Sequence, residues 1–187
     1  MNLTGNTIFI TGGGSGIGRG LAEELHKRGN KVIISGRRKS HLDSVAKANP
    51  GIEAIELDIT NPDSIGAVAK KLTAEHPDLN VLVNNAGIME PDQAAGVIDD
   101  KLLVSTVTTN LLGPIRLTSA LLDQLKSRRG VIVYNTSLMN SQEAELAMPL
   151  DSSSPKLWTC LERMLTKFLL KQQSLCEPIR EPRSMPW

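Results

Sequence analysis

The feature that most constrains this chain is a glycine-rich turn set between an apolar run and an amphipathic segment. Thr7-Ile8-Phe9-Ile10 runs into Thr11-Gly12-Gly13-Gly14-Ser15-Gly16-Ile17-Gly18. Ile17, Leu21, Ala22 and Leu25 then fall at helical spacing as far as Arg28, where Gly29-Asn30 marks a stop. A short apolar run between turn residues reads as a buried strand. Strand, glycine turn and helix in that order make an anion cradle. The glycines let backbone amides approach a ligand, and the helix start adds unpaired N–H groups and a partial positive charge. A pyrophosphate fits there; a glycine-rich turn without a ligand is the plainer alternative.

The same strand–helix alternation continues. Lys31–Ser35 is a second strand, ending at Gly36-Arg37-Arg38. Ser40-His41-Leu42-Asp43 resembles a capping box, opening a helix that runs into Asn49-Pro50-Gly51. Ala54–Asp58 is a third strand. Thr60-Asn61-Pro62 starts a helix with proline at its first position, and that helix ends near His76-Pro77. Val81–Asn84 is a fourth strand. Helices follow near 102–112 and 115–125, and Val131–Tyr134 is a fifth strand. Continuously apolar strands alternating with helices imply a parallel sheet covered on both faces. Right-handed crossovers make that an α/β, Rossmann-type, doubly wound fold of three layers.

The G-x-G-x-x-G spacing fits no register of the turn. T-G-x-x-x-G-x-G does, with Gly12, Gly16 and Gly18. Asn84-Asn85-Ala86-Gly87 follows the fourth strand, Asp58-Ile59 the third, and Thr109-Asn110-Leu111 lies in a helix. Ser137 follows the fifth strand. These motifs, in this order, resemble the short-chain dehydrogenase/reductase family over Asn2 to about Ser137. Leu3–Thr7 and Leu79–Ile88 resemble its bacterial DltE-type oxidoreductases. The resemblance implies hydride transfer between a nicotinamide cofactor and a small-molecule carbonyl or alcohol. It implies cofactor contacts at Gly12, Gly14, Ser15, Gly16, Ile17, Gly18, Asp58, Ile59, Asn85, Ala86 and Gly87, with Asp58-Ile59 against the adenine. It assigns Ser137 to orienting the substrate oxygen and Asn110 to a water-mediated proton relay. Asp58 also reads as a plain strand-end residue. Asn85 also reads as a tie between strands, and the resemblance gives it both roles.

NAD-preferring proteins of this fold usually carry an acid at the end of the second strand, to hold the ribose 2′-hydroxyl. Here the strand ends Ser35-Gly36-Arg37-Arg38, without one. A contact from Arg37 to a 2′-phosphate is favourable, so the expected cofactor is NADP(H), with NAD(H) second. A solvated basic turn is the other reading of Arg37-Arg38.

The catalytic pattern then breaks. The resembled family carries a tyrosine about a dozen residues after its serine, and a lysine four residues further on. The lysine's charge lowers the tyrosine's pKa, which fits the tyrosine for proton transfer. Here that stretch reads Met148-Pro149-Leu150-Asp151-Ser152-Ser153-Ser154-Pro155-Lys156. The single tyrosine is Tyr134, inside the fifth strand, where packing against a helix is its plain reading. Composition changes at the same place. All 15 glycines lie at or before Gly130, no valine follows Val133, and half of the 10 prolines follow Met148. Leu157, Leu161, Met164, Leu165, Phe168 and Leu169 are spaced as an amphipathic helix. Glu177 to Trp187 reads as disordered. The expected organisation is therefore a dinucleotide-binding domain over 1–137 and a divergent tail over 138–187, with the family's C-terminal strands missing or altered. Two origins of the tail stay open: divergence to a protein that binds nucleotide without chemistry, or a coding sequence shifted out of frame near Leu138. Either leaves low or no activity, as a non-catalytic binding or interaction protein or as a truncated product.

A net charge of +1 points to no nucleic-acid partner, and no apolar run approaches a membrane span. Cys160 and Cys176 match neither metal-ligand nor redox spacing. The expectations are a cytoplasmic protein without a metal, with a homo-oligomer left open.

Overall fold

The computed structural model of the protein describes residues 3–89 and 99–135. Among these residues five strands form one parallel sheet: β1 (Thr7–Thr11), β2 (Lys31–Gly36), β3 (Glu53–Glu56), β4 (Val81–Asn84) and β5 (Val131–Tyr134). Their order is β3-β2-β1-β4-β5. The order reverses between β1 and β4, so the ends of these two strands open the crevice in which such sheets hold ligands.

Side-chain alternation divides the core between the two faces. Phe9, Ile33, Ile55 and Leu82 meet the helices α3 (Pro62–Glu75) and α5 (Gly113–Ser127) in one cluster with Leu72, Leu117, Leu121 and Leu125. The alternate residues Ile8, Ile10, Val32 and Ile34 are fully buried on the opposite face. That face is covered by α1 (Gly16–Lys27) and α2 (Lys39–Ala48), through Leu21, Leu25, Leu42 and Val45. β1 and β4 are buried at every residue, as central parallel strands must be.

Local chemistry sets the helix starts. Asn61 Oδ1 accepts from the backbone N–H groups of Asp63, at 2.8 Å, and Ser64, at 3.3 Å, and Pro62 follows it. This is the start that the sequence indicates. α2 differs. It begins at Lys39 with Arg38 in the cap position, and no side chain caps it. Ser40 lies inside the first turn and does not cap the helix. The backbone supplies the turn instead, because His41 and Leu42 N–H both donate to the Arg38 carbonyl.

A second difference concerns the helices expected near 102–112 and 115–125. They form one continuous run: α4 (Asp100–Val107), a π-helical turn over Thr108–Leu112, and α5. Gly113-Pro114 lies between the two expected spans. A proline inside an α-helix removes a donor and clashes with the carbonyl four residues back, here that of Asn110. The widened turn absorbs the clash, and Gly113 N–H donates to the Thr108 carbonyl five residues back. Gly113 also lets the helix approach the loop after β3, since a Cβ there would lie 2.7 Å from Ile59 Cγ1.

The remaining boundaries move by little. β3 starts one residue early and ends at Glu56. Leu57 still donates to the Gly36 carbonyl, and Asp58 leaves the ladder. Expectations for Ser137, the 157–169 helix and the disordered 177–187 segment lie outside the described residues. Among the described residues, no helix is long and apolar enough to cross a membrane.

Candidate functional site

At the C-terminal ends of β1, β2 and β4 lies a cleft of about 770 Å³. Gly12, Gly14, Ser15, Gly16, Ile17, Gly18, Arg37, Ile59, Asn85, Ala86 and Gly87 all line it. Eleven of the twelve expected cofactor residues thus meet at one place. The twelfth, Asp58, is not among the lining residues.

The glycines have separate jobs. Gly12 and Gly16 take φ values of +70° and +54°, a left-handed backbone that side chains disfavour. Gly18 opens α1 against the turn, and a Cβ there would collide with the Gly12 carbonyl oxygen and Asn85 Nδ2. The helix start carries no acidic side chain in its first turn, and Ser15 makes no capping hydrogen bond. The first amides of α1 are therefore left for an anion. These features fit a pyrophosphate.

A lattice of side-chain hydrogen bonds holds the turn in place. Thr11 Oγ1 accepts from the backbone N–H groups of Asn85 and Ala86, both at 2.9 Å. Asn85 Nδ2 donates to the Thr11 carbonyl at 2.9 Å and lies 3.5 Å from that of Gly12. Asn85 thus ties β4 to β1, as its plain reading holds. Thr11 begins the T-G-x-x-x-G-x-G motif but is not among the expected cofactor contacts. Asn135 is not among them either, and the sequence carries no signal for it.

Across the cleft, Arg37, Arg38 and His41 are exposed in its wall beside the uncapped start of α2. No acidic residue lies in the first turn of that helix. Asp58 is committed to its own loop. Its carboxylate accepts from Thr60 Oγ1 at 2.7 Å and from Thr60 N–H at 2.9 Å. These two bonds hold its carboxyl below the ordinary aspartate range against partial desolvation, and the Arg37 charge adds to them. The resulting turn presents Ile59, rather than Asp58, to the cleft.

Asn110 sits in the π-helical turn. Its Oδ1 accepts from Ile88 N–H at 2.8 Å, and its Nδ2 donates to the Ile88 carbonyl at 2.7 Å. The side chain therefore pins the strand end after Gly87, and the proline at 114 has no N–H to give the Asn110 carbonyl. Tyr134 lies elsewhere. Its hydroxyl shares a 2.8 Å hydrogen bond with Thr118 Oγ1 on α5, and it does not line the cleft.

A glycine turn at the reversal point of a doubly wound parallel sheet defines a dinucleotide-binding class of fold. The chain belongs to the short-chain dehydrogenase family: the pattern described as short chain dehydrogenase matches residues 6–154. Over 139 residues it is 36% identical to the uncharacterized oxidoreductase DltE of Bacillus subtilis (strain 168), covering 73% of this chain and 55% of that protein. Over 150 residues it is 34% identical to the NADP-dependent 3-hydroxy acid dehydrogenase of Schizosaccharomyces pombe, covering 76% and 57%. Among solved structures it resembles a short-chain dehydrogenase from Streptomyces avermitilis, with a TM-score of 0.64 at 36% identity over 71% of this chain and 49% of that one. It also resembles 3-ketoacyl-(acyl-carrier-protein) reductase from Brucella melitensis complexed with NADH, with a TM-score of 0.64 at 30% identity over 70% and 57%. The chain spans about half the length of the relatives it matches.

Proposed function

We propose that this chain binds NADP(H) in the cleft, as the cofactor-holding part of a short-chain oxidoreductase for a carbonyl or alcohol. The observation that carries the reading is the joint placement of the uncapped Gly12–Gly18 turn and Arg37 on one cleft, with no acid at the end of β2. The turn takes the pyrophosphate on backbone N–H groups, and Gly18 keeps α1 close enough for that. Arg37 and the open start of α2 take the 2′-phosphate. Ile59 and Ala86 flank the adenine side, and Asp58 shapes Ile59's loop through Thr60. The bound cofactor supplies or accepts the hydride. Ser137 orients the substrate oxygen, and Asn110 supports proton movement from the strand end it pins.

The chain turns over slowly or not at all. Y-x-x-x-K does not occur in it, and its one tyrosine spends its hydroxyl on Thr118. A general acid–base group contributes about 10²–10⁴-fold in rate, and that contribution is what is lost. The domain boundary follows the same break, with cofactor binding in 1–137 and a divergent tail in 138–187. A binding protein without chemistry is the second reading, favoured by the same engaged tyrosine.

Direct titration of the purified chain with NADPH and NADH tests the cofactor. Tighter NADPH binding is expected, and equal or tighter NADH binding refutes the preference. Measurable turnover by the same preparation refutes the catalytic loss.

A further inference from the structure

The Gly12–Gly18 turn is held at one remove by a residue just past the end of β5. Asn85 Nδ2 faces the Thr11 and Gly12 carbonyl oxygens, at 2.9 and 3.5 Å, so it must be the donor end of the amide. That fixes Oδ1 as the end that faces Asn135. Asn135 Nδ2 donates to this oxygen at 2.8 Å, and Asn135 N–H extends the ladder to the Asn84 carbonyl at 2.9 Å. The amide of Asn85 is wedged between Gly12 and Gly18, where a Cβ on Gly12 would lie 3.0 Å from its Nδ2.

We infer that Asn135 is a positioning residue for the dinucleotide's pyrophosphate. It sets the orientation of the Asn85 amide, and through it the shape of the Gly12–Gly18 turn. An amide has two faces of opposite hydrogen-bonding sense. Asn135 has to present its donor to Asn85, and a reversed Asn85 would set its oxygen against two carbonyl oxygens. The relay therefore crosses three strand ends, from β5 through β4 to β1. Asn135 stands in the cleft wall but acts on the ligand through Asn85. The inference rests on the dinucleotide reading of the cleft.

The test compares two ligands on the full chain. NADPH engages the turn through its pyrophosphate, while adenosine 2′-monophosphate carries the adenine and 2′-phosphate without one. Asn135→Leu keeps the branching and removes the donor. It should weaken NADPH binding by about tenfold, the scale of a lost hydrogen bond that leaves its partner unsatisfied, and leave adenosine 2′-monophosphate within twofold. In an Asn85→Ala background the same change should cost less than twofold, because its route to the turn is gone. Equal weakening of both ligands marks general loosening and overturns the inference. So does unchanged NADPH binding, or an undiminished cost in the Asn85→Ala background. If Asn135→Leu does not fold, Asn135→Asp makes the same test, since its carboxylate has no donor for Asn85 Oδ1; NADPH binding like the unaltered chain's overturns the inference there too. Failure of the unaltered chain to bind NADPH or NADH overturns the proposed function itself, and is distinguished by that result.

Discussion

The two halves of the sheet are built to different degrees of closure. From β1 to β3, α1 buries Gly18, Leu21, Ala22 and Leu25, and α2 buries Leu42 and Val45. Beyond β4, α4 buries none of its residues, and no residue of β5 is fully buried. Leu103, Val104, Leu111 and Ile115 are each about half exposed, between 47% and 55%. Among the described residues nothing pairs with the far edge of β5. The Gly12–Gly18 turn sits on the closed half, braced from the ends of β4 and β5 by Asn85 and Asn135. The half that carries Asn110 keeps those four apolar side chains half exposed among the described residues, although α5 buries Leu117, Leu121 and Leu125.

The largest contrast lies within α5. Leu121, fully buried in the core shared with α3, should cost about 2–5 kcal/mol as Leu121→Ala. Ile115, half exposed on the same helix, should stay within about 0.5 kcal/mol as Ile115→Ala. Urea unfolding of both variants checks this, and equal costs would mean that the outer face is covered after all.

The next test separates the phosphate subsites. Arg37→Ala should weaken NADPH by about 1.5–3 kcal/mol, the range for hydrogen bonds to charged groups, and leave NADH nearly unchanged. A parallel loss for both dinucleotides would assign Arg37 to something other than a 2′-phosphate. Gly18→Ala should cost about 1–3 kcal/mol in stability, because the added methyl meets a backbone carbonyl that cannot rotate away. It should weaken both dinucleotides equally, which titration with each will show.

The smallest effect is set by Asp58. Its carboxyl sits below the ordinary value of about 3.9, chiefly through the Thr60 bonds. The stabilisation is complete above that value and is lost as pH falls through the lower, folded one. Thr60→Val should therefore flatten the acid limb of stability against pH below about pH 4, and an unchanged limb would remove Thr60 as the cause.

The sheet was legible because buried parallel strands are written as unbroken apolar runs, such as Val32-Ile33-Ile34. The phosphate turn was legible because its glycines answer to backbone geometry. The π-helical turn was not, since Gly113-Pro114 reads as a stop and the helix continues through a widened turn closed by the Gly113 N–H bond to the Thr108 carbonyl. Ser40 misled for a related reason. A capping sequence signals a helix start, yet Arg38 reaches that position first through backbone bonds alone. Asn135 was invisible because its value depends on which way a distant amide faces, and sequence spacing holds no trace of that.

Everything rests on a dinucleotide seated on the Gly12–Gly18 turn. Thermal unfolding of the 187-residue chain with and without NADPH measures this directly, since a ligand that binds only the folded state must stabilise it. At a hundredfold excess over Kd, NADPH should raise Tm by about 5–10 °C, and NADH at the same concentration by less. No rise with either dinucleotide would contradict the account.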